Sequence, residues 1–110
     1  MEEKKKQVEE LTSKQRQYLK GLAHPLTPLV QIGREGISDG LMEMARKELA
    51  LRELLKVKIG NNSGLEKHSA AEELAIKTGS TLVQLIGKTI VLYKENPKRA
   101  KEKRIRLPRG

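Results

Sequence analysis

At 110 residues the chain has room for one domain with tails, and 36% hydrophobic against 34% charged residues allow only a modest core. It holds no cysteine, which excludes disulfides and thiolate metal sites and fits a reducing cytoplasm, and no apolar run approaches the ~20 residues of a membrane span. The net charge of +9 is uneven: residues 94–110 carry eight basic and two acidic side chains, residues 29–93 nine and eight, and residues 1–28 six and four, a distribution that points to a polyanion.

Residues 1–10 form a charged extension without an apolar stretch, so no secretory signal is expected. Thr12 and Gln15 have the spacing of a capping box. Tyr18, Leu19 and Leu22 then recur at helical spacing and predict a buried stripe, until Pro25 and Pro28 stop a helix over 12–24. A short strand follows at 29–33, then a G-R-E-G turn at 33–36. Ser38 or Asp39 caps a second helix whose apolar face is Leu41, Met42, Ala45 and Leu49. The strand at 54–60 alternates Leu55, Val57 and Ile59 with Lys56 and Lys58, the pattern of a sheet wet on one face.

NNSG at 61–64 is a turn by composition. A third helix over 67–78 buries Ala71, Leu74 and Ala75, with Gly79 placed for a left-handed C-cap. Strands at 82–86 and 89–93 flank Gly87-Lys88, a two-residue hairpin loop. The order α-β-α-β-α-β-β predicts a two-layer α/β sandwich with a mixed four-stranded sheet, because β-α-β crossovers give parallel connections and the last hairpin an antiparallel one. The expected division is extension 1–10, domain 11–94 and basic tail 95–110.

Enzymatic chemistry has little to stand on. His24 and His68 lack partners at metal-ligand spacing, and His24 fits a structural role among the free carbonyls at a helix end. Glu72 and Glu73 read as solvated, and no nucleophile elbow, phosphate loop or dinucleotide fingerprint occurs. The G-R-E-G turn is the better candidate. Gly33 and Gly36 permit close backbone approach, Arg34 offers a fork for phosphate, and the following helix start offers amides and a positive dipole end. KH-type RNA-binding domains use a G-x-x-G turn to clamp a sugar-phosphate chain.

On the first helix, Arg16 and Lys20 share a face with Lys14 beside them, although a merely solvated face stays open. Lys56 and Lys58 lie on one side of their strand, and the sequence does not decide whether that side is covered. Aromatic content is 2%. With Tyr18 expected in the core and Tyr93 ending a strand, no platform for stacking bases is expected, which argues against an RRM or OB-fold and for backbone recognition of folded RNA.

The runs LTSKQRQYLKGLAHPLTPLVQIGREGIS, LLKVKI and AAEELAIKTGSTLVQLIGKTIVLYK, spanning 11–94, resemble the CRM domain (chloroplast RNA splicing and ribosome maturation). The likeness is to its stand-alone bacterial YhbY-type form in particular. It rests on K-Q-R-x-Y-L, V-Q-I-G-x-x-G and L-V-Q-L-I-G-K-T-I-V-L-Y. The resemblance implies an α/β fold related to the C-terminal domain of a bacterial translation initiation factor. It also implies non-catalytic RNA binding and association with precursors of the large ribosomal subunit. The implied RNA surface is Gly33, Arg34, Glu35 and Gly36 with Lys14, Arg16 and Lys20. Glu35 departs from the small or basic residue common in that slot and weakens the turn's field. The tail, with Lys98 and Arg99, takes over part of the electrostatics. The expected partner is RNA, with no membrane, small-molecule substrate, cofactor or metal, for a cytoplasmic monomer. A protein-interaction adaptor in ribosome assembly, its charge serving solubility, is the alternative.

Overall fold

The computed structural model describes residues 10–109, so the expected extension lies outside the described residues except for Glu10. Local chemistry opens and closes the elements much as their sequences demand. Helix α1 (Ser13–Ala23) starts on a complete capping box, the Gln15 amide donating to Thr12 Oγ1 and the Thr12 amide to Gln15 Oε1, both at 3.1 Å. After strand β1 (Val30–Ile32), helix α2 (Asp39–Arg52) is capped by Ser38, whose Oγ accepts from the Leu41 amide. Strand β2 (Leu54–Ile59) leads through a 3-10 turn (Asn61–Ser63) to α3 (Lys67–Thr78), which ends on Gly79 at φ 70°. Strands β3 (Thr81–Ile86) and β4 (Thr89–Tyr93) close the series around Gly87, at φ 57°.

The sheet order is β1-β2-β4-β3, with β1 parallel to β2 and β4 antiparallel to both its neighbours. Strand β3 therefore runs parallel to β2 but one place away, because β4 inserts between them. This is the expected mixed four-stranded α/β sheet.

Side-chain alternation divides the apolar residues between two faces. One face, with Val30, Ile32, Leu55, Val57, Ile59, Ile90 and Leu92, packs on Leu41, Ala45 and Leu49 of α2 and on Ala70, Ala71, Leu74 and Ala75 of α3. The other, with Leu54, Val83, Val91 and Tyr93, packs on Leu19 and Ala23 of α1 and is joined by Leu11, Ile105 and Leu107. The two-layer expectation left out this second side, where α1 and the C-terminal segment form a smaller third layer. The stripe predicted for α1 is also corrected: Leu19 is buried, but Tyr18 is 41% and Leu22 38% exposed, and Ala23 takes the inner place. The helix rolls so that Leu19 and Ala23 meet the sheet while Tyr18 and Leu22 line the outer edge.

The C-terminal segment is held by Glu53. This residue ends α2 in the left-handed region, at φ 68°, and its carboxylate is fully buried. Its Oε2 accepts from the Asn96 amide, at 2.8 Å, and its Oε1 from the Ile105 amide, at 2.8 Å, and from Arg99 Nη1, at 3.0 Å. Gln15 Nε2 then donates to the Pro108 carbonyl, tying the segment's end to α1. Burial alone would push the Glu53 carboxyl up, but the two amides and the guanidinium outweigh it and hold it below its ordinary value.

Candidate nucleic-acid interface

The uncovered part of the α1-side face can be read from the register. Gln31 pairs with Lys58, Lys58 with Thr89, and Thr89 with Ile86, so these four form one row across the sheet. Lys58 has the parity of Leu54, which faces α1, but the row lies beyond the helix: Gln31, Lys58 and Ile86 are exposed and Thr89 is half-buried. The Gly33–Gly36 turn leaves β1 at this same end of the sheet. The β3-β4 hairpin is there too, since the Ile59 amide donates to the Lys88 carbonyl at 2.8 Å.

Within the turn, the Gly36 amide donates to the Gly33 carbonyl, at 2.9 Å, and Gly36 sits at φ 68°, where only glycine is unstrained. Gly33 is different. Its φ is not left-handed, and a Cβ built on it would meet nothing within 4 Å. Arg34 and Glu35 are exposed at the tip. The helix start behind them offers less than its position suggests, because Ser38 caps it and Asp39 in the first turn offsets the dipole.

The predicted basic residues sort into two groups. Lys14, Arg34, Lys58 and Lys98 are exposed and Lys20 half-buried, and their side chains have no hydrogen bond or ion pair with a described residue. Arg16, Lys56 and Arg99 instead donate to groups of the protein's own. Arg16 Nη1 donates to the carbonyls of Leu82, at 2.8 Å, and Val83, at 2.7 Å, where the edge strand β3 bulges and leaves acceptors unpaired. Lys56 Nζ donates to the carbonyls of His24, at 3.3 Å, and Leu26, at 3.0 Å, neutralising the end of α1. That task had been expected of the His24 imidazole, which is exposed instead. Arg99 Nη1 holds Glu53 and the Arg52 carbonyl.

Lys88 was missed by sequence reasoning. It is exposed at the hairpin tip beside the row, its Nζ 3.0 Å from Asn61 Oδ1, and only strand register brings it near Lys58. Among the described residues no group of three or more His, Asp or Glu side chains is placed to hold a metal ion, and no helix is long and apolar enough to cross a membrane.

Fold and surface together define a small mixed-sheet α/β domain with cations gathered at an open sheet end. The chain belongs to the CRS1 / YhbY (CRM) domain family, whose model matches residues 11–94. A relative from Bacillus subtilis, named "Probable RNA-binding protein YqeI", is 43% identical over 89% of this chain and 99% of its own. One from Haemophilus influenzae, named "RNA-binding protein", is 36% identical over 90% of this chain and 96% of its own. The solution structure of a Staphylococcus aureus protein matches with a TM-score of 0.74 and 43% identity, covering 90% of this chain and all of that one.

Proposed function

We propose that this protein binds structured RNA without catalysis, acting as a cytoplasmic monomer on ribosomal RNA in precursors of the large ribosomal subunit. It grips the sugar-phosphate backbone with Arg34, Lys58 and Lys88 at the open sheet end and with Lys14 and Lys20 on α1. The relatives' names support RNA as the partner. The observation that carries the reading is the empty space over Gly33 beside an Arg34 whose side chain has no hydrogen bond or ion pair with a described residue. The protein's own packing gives no reason for a glycine there, whereas a docked chain needs the room. Glu35 in the same turn lowers the field and keeps binding from becoming indiscriminate.

The test is the salt dependence of binding to pre-large-subunit RNA. Replacing Arg34 and Lys58 together by Gln should weaken binding and reduce the log–log salt slope by roughly 0.7–0.9 per lost phosphate contact. An unchanged slope refutes the assignment. On gradients the protein should migrate with large-subunit precursors and leave them after nuclease treatment; a protein partner retained after nuclease would establish the adaptor reading instead. The C-terminal share is to be measured with Lys98→Gln, since truncation after Asn96 would also uncover Leu54, Val91 and Tyr93.

A further inference from the structure

Tyr18 was expected inside and lies 41% exposed on the outer side of α1, in a chain with only two tyrosines and no tryptophan or phenylalanine. Lys14 is one turn before it and Leu22, itself 38% exposed, one turn after. Gly21, three residues on, is also on this side. Its φ is not left-handed and a Cβ on it would meet nothing within 4 Å, although glycine is among the poorest residues for a helix interior. Neither the backbone nor the packing of α1 calls for a glycine there. Its effect is to leave open space on the outer side of α1, about one turn from the ring. A single exposed apolar residue needs no explanation, but a ring with a lysine one turn before it, Lys14, and a bare step one turn after it has the makeup of a stacking site.

We infer that Tyr18 stacks an unpaired RNA base, with Lys14, one turn before it on the same side of α1, taking a flanking phosphate and Gly21 leaving the nucleotide room. This deepens the proposed function and rests on it, adding recognition of a looped or bulged nucleotide to backbone grip. Charge complementarity selects this occupant over a second copy of the chain, because a two-fold contact through this side of α1 would bring Lys14 of one copy against that of the other.

The experiment compares an RNA hairpin with an unpaired loop and a blunt duplex of the same stem, for the full chain and for Tyr18→Ala and Tyr18→Phe. Tyr18→Ala should lower hairpin affinity about tenfold, the usual scale for one stacked base, and leave duplex affinity within about twofold; Tyr18→Phe should restore the hairpin preference. With Tyr93 buried at 7% exposure, quenching of tyrosine emission by the hairpin, absent in Tyr18→Ala, reports the stack directly. Equal losses on both RNAs, or none on either, overturn the inference while leaving backbone binding in place. Failure of the unaltered protein to bind either RNA overturns the proposed function instead.

Discussion

Replacing Glu53 by Gln tests the account of how the C-terminal segment is held. The carboxylate is fully buried and accepts three hydrogen bonds, from two backbone amides and Arg99. A carboxamide has one accepting oxygen. Turned to serve the Ile105 amide and Arg99, it presents its NH2 to the Asn96 amide, donor against donor; turned the other way, it strands the other two. Arg99, with 22% of its side chain exposed, also loses its counter-charge. One hydrogen bond to a charged acceptor plus one stranded amide amounts to about 3 kcal/mol. For a domain of this size that is a fall in Tm of roughly 12–24 °C, to be measured by calorimetry and urea unfolding. Acid provides a second reading. Because the folded carboxyl lies below its ordinary value of 4.5, its contribution is whole above that pH and is lost as the pH falls through the lower folded value. The difference between parent and Glu53→Gln should therefore shrink in acid. A variant within about 1 kcal/mol of the parent near neutral pH would refute the reasoning, given those bond energies.

Gly36→Ala should cost about 1–2 kcal/mol, since the residue is held at φ 68°. Gly33→Ala should leave thermal stability unchanged and still weaken RNA binding, and a stability loss equal to that of Gly36→Ala would remove the argument for docking space. Arg16→Leu should destabilise by about 1–3 kcal/mol by stranding the Leu82 and Val83 carbonyls, while the RNA salt slope stays as it is; a shallower slope would return Arg16 to the phosphate contacts. Glu66 caps α3, accepting from the His68 amide and ring and from the Ser69 amide and hydroxyl, which hold its carboxyl at about 2. Its cap is thus whole above pH 4.5 and fades only as the pH falls through about 2. An NMR titration of the His68 and Ser69 amides should show that midpoint, and one near 4.5 would contradict the capping geometry.

Local signals were legible in the sequence wherever neighbours in the chain decide the outcome. The capping box of Thr12 and Gln15, the serine cap of α2, the left-handed Gly79 and the Gly87 hairpin all stand as read. The end of α2 was not legible, because the left-handed residue there is Glu53 rather than a glycine, and its reason is a set of donors 43 to 52 residues further on. The exposed Tyr18 was missed for a related reason. Helical spacing names candidates for burial, but the roll of a helix on its sheet selects among them.

Composition and pattern by themselves determined a small mixed α/β domain, its order of elements and an excess of positive charge, since these depend on propensity and on charge count. Which cations are free was decided only by tertiary structure. Arg16, Lys56 and Arg99 each donate to a carbonyl or carboxylate distant in sequence, whereas the side chains of Arg34 and Lys58 have no such partner among the described residues. A lysine or arginine looks the same in any sequence, and its availability depends on whether folding brings an unpaired acceptor within its reach.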